Sequence, residues 1–122
     1  TPWDLEGVGY LHLTSNETIN GVQLREFNKI QHDSLLIDMS SDIGSYSFEW
    51  DNLAYVYAGA QKNMGIPGVS ICIGDEKYLN SEDNSRYLNL GQLVEKNSLL
   101  NTPPTFSIYV LKLVTDGGYK PF

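Results

Sequence analysis

Residues 35–41 read Leu-Leu-Ile-Asp-Met-Ser-Ser, and the apolar run at their start ends abruptly at Asp38. Continuous rather than alternating apolarity marks a strand covered on both faces, as strands of a parallel sheet are. Upstream, Gly7 to Leu13 (GVGYLHL) is a shorter apolar run that stops at the polar cluster Thr14 to Gly21 (TSNETING), a strand-and-loop signal. Downstream, Ala54 to Ala58 (AYVYA) predicts a third strand ending in GAQKNMG, and Val69 to Ile73 (VSICI) a fourth that closes at Gly74. Roughly ten residues separate the third and fourth strands. That is too few for a helical crossover, so this pair is expected to be antiparallel.

Between these strands the pattern is weaker. Val22 to Ile30 has the length and polarity of a short helix. Lys77 to Leu100 is polar, with scattered apolar residues, and reads as loop with one short helix. The C-terminal helix is the clearest element. Thr102 can cap it, Pro103 suits its first turn, and Gly117-Gly118 stops it. Phe106, Tyr109, Val110, Leu113 and Val114 recur at helical spacing and predict its buried stripe. The fold class is mixed α/β: a mostly parallel sheet with one antiparallel strand, flanked by helices.

Composition narrows the function classes. The 122 residues allow one modest domain or part of a larger one, and carry 15 acidic against 8 basic residues, a net charge of −7. A surface of that sign repels phosphate backbones and anionic lipid, which argues against nucleic-acid or membrane partners. No apolar run approaches the ~18 residues of a membrane span. Cys72 is the single cysteine, so neither an internal disulfide framework nor a four-cysteine zinc site is available. His12 and His32 lack ligand spacing and read as a strand histidine and a surface histidine, so no metal is expected. With no signal-like opening segment, the expectation is a soluble cytoplasmic protein.

Three of the predicted strands end in polar clusters: Asn16-Glu17-Thr18, Asp38 with Ser40 and Ser41, and Gln61-Lys62-Asn63. In a parallel sheet these ends share one edge, where open α/β sheets bind ligands. Taken singly, an Asp after a strand usually starts a turn and a loop Lys is usually a solvated charge. Their convergence points to a site. Lys62 follows Gly59 and Ala60 with no acid beside it in sequence, a setting expected to desolvate it partly and favour the neutral amine. A neutral amine condenses with an aldehyde. A strand-end carboxylate such as Asp38 is the partner that keeps a pyridinium nitrogen protonated, and Lys plus Asp is the usual protein contribution to pyridoxal phosphate chemistry.

Four segments carry a more specific likeness. SNETINGV (15–22), DMSSDI (38–43), YAGAQKNMGIPG (57–68) and NTPPTF (101–106) resemble, in this order along the chain, motifs of the phosphoserine aminotransferases, class-V, fold-type-I pyridoxal-phosphate enzymes. The resemblance implies that Lys62 bonds to the cofactor and shuttles a proton, and that Asp38 pairs with the pyridine nitrogen. It implies further that Thr18 donates to the phenolic oxygen and Gln61 reaches the phosphate. Asn101 and Thr102 would bind that phosphate across a homodimer interface. A phosphate at the N-terminus of the following helix is also favoured physically. The implied reaction passes an amino group between glutamate and 3-phosphohydroxypyruvate, small amino-acid and keto-acid substrates, giving phosphoserine and 2-oxoglutarate in serine biosynthesis.

On this resemblance, residues 1–122 are part of a pyridoxal-phosphate-binding large domain. The N-terminal part, with its glycine-rich phosphate loop and ring-stacking aromatic, and the C-terminal small domain lie outside it. Arg25 and Arg86 match no substrate-binding position of the family. Gly44-Ser45-Tyr46 stands where Ser-Arg-Pro is common, and Ala54 where Asp, Gly or His is usual. Two other readings remain: another class-V enzyme with a different amino or keto acid, and a non-catalytic structural or binding piece.

Overall fold

The computed structural model describes residues 5–79 and 89–117. Its sheet has four strands, β1 (Leu11–Thr14), β4 (Leu35–Asp38), β5 (Leu53–Gly59) and β6 (Ser70–Gly74), in the spatial order β1-β4-β5-β6. β1, β4 and β5 run parallel, and β6 is antiparallel to β5, as the short link between them requires. The chain is therefore mixed α/β with a mostly parallel sheet. The predicted strands are all present with shifted ends. The first begins at Leu11 instead of Gly7, because Gly7 takes a left-handed turn conformation (φ 76°).

β4 alternates more than its sequence suggests. Leu35 and Ile37 are fully buried, whereas Leu36 and Asp38 are half-buried. The buried face continues through Val56 and Ala58 on β5, and Phe27, Ile30, Met39 and Ile43 pack against it to complete the core. On the opposite face, His12, Leu36, Asp38, Tyr55, Tyr57 and Cys72 share register and are half-buried or exposed. Among the described residues, one face of the sheet is thus core and the other is only partly covered.

The segment predicted as a helix from Val22 to Ile30 is instead a short strand followed by a single 3-10 turn. β2 (Asn16–Glu17) and β3 (Val22–Gln23) form an antiparallel hairpin, and the turn spans Phe27–Lys29. The polar stretch after β6 contains α1 (Glu76–Leu79) and α2 (Leu90–Glu95); Asn89 caps α2 by accepting from the Gln92 N–H at 3.1 Å. The stretch thus holds two short helices where one was expected, and its residues 80–88 fall outside the described residues.

The last helix, α3 (Thr105–Asp116), starts later than predicted. Pro104 stands at its N-cap with no side-chain capping bond, so Thr102 does not cap it and Pro103 lies before its first turn. Its stripe is also rotated. Ser107, Val110, Leu111 and Val114 are half-buried, while Phe106 (69% exposed), Tyr109 and Leu113 face outward. The Ser107 hydroxyl donates to the Pro67 carbonyl at 2.8 Å. A Cβ on Gly68 would lie 2.9 Å from that hydroxyl, and Gly68 holds a φ of 115°. Close approach and backbone both favour glycine there. No helix among the described residues is long and apolar enough to cross a membrane.

Candidate active site

The three parallel strands deliver their polar ends to one edge of the sheet. Asp38 is the last residue of β4, and its Oδ1 accepts the Ser40 N–H at 2.8 Å, so the side chain closes its own turn. Ser40 in turn accepts the Gly59 N–H at 3.2 Å, joining the loop after β4 to the end of β5. Gly59 leads into a single helical turn, Ala60 to Met64, closed by the Met64 N–H on the Ala60 carbonyl at 3.0 Å. Lys62 sits on that turn. The Asn63 amide donates to the Ile43 carbonyl at 2.6 Å, which ties the lysine turn to the Asp38–Ile43 loop a second time. Lys62 and Asp38 are thus carried by two loops that are laced together.

Lys62 is exposed, contrary to the expected partial desolvation. Gly59 and Ala60 do not cover it, because the turn swings the lysine outward from the strand end. Its availability has a different physical basis. Lys29, Lys77, Lys96 and Lys112 each pair with a nearby carboxylate, at 2.6 Å to Glu26, 3.5 Å to Asp75, 2.9 Å to Glu95 and in close contact with Asp116. Among the described residues Lys62 has no such partner, so its amine is uncommitted.

Gln61 is also exposed, and its side chain folds back over Gly59. A Cβ at Gly59 would lie 2.7 Å from the Gln61 Nε2, inside van der Waals contact, so glycine there makes room for the amide. Thr18 is exposed on the turn between β2 and β3. That hairpin is anchored by a buried polar knot. Ser15, fully buried, donates its hydroxyl to the buried Asp42 carboxylate and lies 3.1 Å from the Asp38 carbonyl, while its N–H donates to that same carbonyl at 2.9 Å. Gln23 Nε2 reaches Asp42 Oδ2 at 3.4 Å, and the Ser41 hydroxyl donates to the Asn16 carbonyl at 2.8 Å. The Tyr46 phenol, raised above its ordinary pKa first by burial and then by the Asp42 charge, stays a neutral donor beside this carboxylate.

Ser15 and Asp42 were not singled out as site residues, although both fall inside the quoted motifs. Their role needs the pairing of distant segments. Ser15→Ala leaves the Asp42 carboxylate short of its buried donor, and we expect it to lower unfolding stability by about 1–3 kcal/mol, read from urea melts. An unchanged melt would show that the knot does not hold the hairpin.

Asn101 and Thr102 are not brought to the lysine. They line a recess of about 210 Å³ with Gly68, Ser70, Leu93 and Pro104, and neither Lys62 nor Asp38 is among its walls. Within one chain, the turn that carries Gln61 and Lys62 and the hairpin that carries Thr18 are both tied to the loop after Asp38, and Asn101 and Thr102 lie apart. Among the described residues no cluster of His, Cys, Asp and Glu is suited to a metal.

The donor set has the chemistry a pyridoxal phosphate requires: an uncommitted amine, a half-buried acceptor-only carboxylate on a linked loop, and neutral amide and hydroxyl donors nearby. Comparison with known proteins agrees. Residues 5–116 match the family model described as aminotransferase class-V. A phosphoserine aminotransferase of Alkalihalobacillus alcalophilus is 45% identical over 113 residues, covering 91% of this chain and 31% of that protein. The solved structure of phosphoserine aminotransferase from Bacillus circulans subsp. alkalophilus superposes with a TM-score of 0.78 at 44% identity, covering 90% of this chain and 32% of its own. A phosphoserine aminotransferase from Trichomonas vaginalis, titled as bound to PLP, gives 0.76 at 32% identity over 89% of this chain and 34% of its own. The chain spans about a third of the length of the curated relatives it matches. On its matched residues and its sheet, the chain belongs to the class-V aminotransferase family.

Proposed function

We propose that residues 1–122 are the cofactor-lysine part of the large domain of a phosphoserine aminotransferase, working as a soluble cytoplasmic homodimer. The observation that carries this reading is the lacing of the Lys62 turn to the Asp38 loop through Ser40 and Asn63, at the edge where parallel strands end. Pyridoxal phosphate, when bound, supplies an electron-withdrawing ring that takes up the electron pair left as the substrate's Cα proton departs. Lys62 would hold the cofactor through its amine, and when free of it that amine would carry the substrate's Cα proton. Asp38 holds a proton on the ring nitrogen through a charge-assisted hydrogen bond.

Thr18 donates its hydroxyl to the ring's phenolic oxygen, and the Gln61 amide donates to the phosphate. Asn101 and Thr102 complete the phosphate site of the partner subunit, which accounts for their distance from the lysine turn of their own chain. The reaction passes the amino group of glutamate to 3-phosphohydroxypyruvate. The likeness of NTPPTF and of Gln61 to the phosphoserine branch favours these substrates over another keto acid. Turnover of glutamate with 3-phosphohydroxypyruvate by the full-length protein tests the assignment, and turnover only with other keto acids would move it to another class-V enzyme.

Gly59 supplies a local test of the Gln61 role. Gln61→Ala should weaken cofactor binding by about 10- to 100-fold, the worth of a hydrogen bond to a charged group. Gly59→Ala pushes the Gln61 amide aside and should weaken binding in the same direction. The double variant should match Gln61→Ala alone, because both act through one side chain. Additive losses in a titration of the apo-protein with cofactor would contradict the shared mechanism.

A further inference from the structure

The partly covered face of the sheet carries a line of side chains that the reading above does not use. His12 on β1 and Tyr57 on β5 flank β4 from either side, and they meet across it. His12 Nε2 lies 3.0 Å from the Tyr57 hydroxyl oxygen, and the two rings lie 5.9 Å apart, within 20° of parallel. The register places Asp38 directly beside Tyr57 on the same face, with the Asp38 carboxylate near enough to act on the Tyr57 phenol.

Chemistry orders the donors along this line. A carboxylate only accepts, so the single phenol proton is directed at Asp38. The phenol oxygen is then left to receive the Nε2–H of His12. Tyr57 keeps its proton well past neutrality: burial first, then the Asp38 charge and hydrogen bond, raise its pKa above the ordinary phenol value. The other titratable group on its own strand is Tyr55, stacked at 6.1 Å, and Cys72 faces it from β6. Thr14 is the register partner of Asp38 on β1.

A tyrosine–histidine pair on a sheet face also supports strand pairing by itself. What separates a further role from that one is where the line ends, on the carboxylate assigned to the ring nitrogen. Resting on that assignment, the geometry points to Tyr57 and His12 as positioning residues, which orient the Asp38 carboxylate where it meets the bound cofactor. Tyr57 acts directly on Asp38, and His12 acts through Tyr57.

The test follows the visible absorbance of the cofactor-loaded, full-length protein against pH. A proton on the ring nitrogen opposes a second positive charge on the Lys62 nitrogen joined to the cofactor, so a weaker hold by Asp38 moves the midpoint upward. Asp38→Asn should move it upward. Tyr57→Phe should move it the same way by about half a pH unit, since a hydrogen bond to a charged group is worth roughly one unit and acts here at one remove. In the Asp38→Asn background, Tyr57→Phe should add nothing. His12→Gln, which keeps a donor near the Nε2 position, should lie nearer wild type than His12→Leu.

An unchanged midpoint in Tyr57→Phe overturns the proposal, as does an equal shift with and without Asp38. If Tyr57→Phe fails to fold, the two His12 variants decide: equal midpoints in both overturn it. No shift in Asp38→Asn itself overturns the assignment of Asp38 and the relay together, which distinguishes that failure from failure of the relay alone.

Discussion

Lys62→Ala is expected to lower transamination by the full-length protein by roughly 10²- to 10⁴-fold from lost proton transfer alone. The visible band of the bound cofactor should disappear in the same variant. Lys62 differs from the other described lysines in having an uncommitted amine. Four other described lysines are engaged in ion pairs with carboxylates, which hold their ammonium groups in place. Lys62 stands on a turn pinned at both ends, by Gly59 to Ser40 and by Asn63 to Ile43, and its amine has no carboxylate partner among the described residues. Borohydride reduction of the loaded protein should therefore label the peptide that contains Lys62. A small primary amine added to Lys62→Ala should restore part of the rate, because it replaces the proton carrier but not the tethered geometry. Label on a different lysine, or full activity in Lys62→Ala, would remove this residue from the chemistry.

Much of the fold was legible because it depends on local signals. The apolar run at 35–37 and the short link between Ala58 and Val69 each constrain topology without knowledge of the rest. They predict the parallel centre and the antiparallel edge that β4, β5 and β6 show. The hairpin at 16–23 was not legible, since two-residue strands leave almost no pattern and are held by Ser15 and Asp42, residues far apart in sequence. Helix α3 was legible as a helix but not in its orientation. It has apolar side chains on several faces, so two overlapping stripes satisfy the 3.6-residue period. Only docking on Pro67 and Gly68 selects the one through Ser107, Val110 and Leu111.

The site shows the same division. Asp38 and Lys62 are legible as candidates because strand ends and their polar residues are local features of the chain. Tyr57 and His12 were not: His12 read as an ordinary strand histidine, and AYVYA as an ordinary strand. Their relation to Asp38 exists only through register across three strands. A sequence reading that had paired strands residue by residue could have found it, because period-2 alternation puts Tyr55 and Tyr57 on one face.

Asp38→Asn should separate cofactor attachment from turnover. The substitution preserves the side chain's shape and an oxygen for the Ser40 N–H, so the loop after β4 should remain folded and Lys62 should still take up the cofactor. What changes is charge. A carboxylate stabilises a protonated ring nitrogen, whereas a neutral amide can equally donate its own N–H to an unprotonated one. The ring then withdraws electrons less strongly when the Cα proton leaves. Losing a preorganised charge aimed at developing charge costs on the order of 10²- to 10³-fold. We therefore expect a visible band of near-normal intensity in Asp38→Asn together with turnover reduced by about that factor. Asp38→Ala should retain the band as well, with at least as large a loss of rate, since it also leaves Ser40 and Tyr57 without their acceptor. Asp38→Glu, which keeps the charge and displaces it by one methylene, should fall between Asp38→Asn and wild type. Measured turnover of Asp38→Asn near the wild-type value would show that the reaction does not use a charged partner at the ring nitrogen, even if Lys62 proves to be the attachment point.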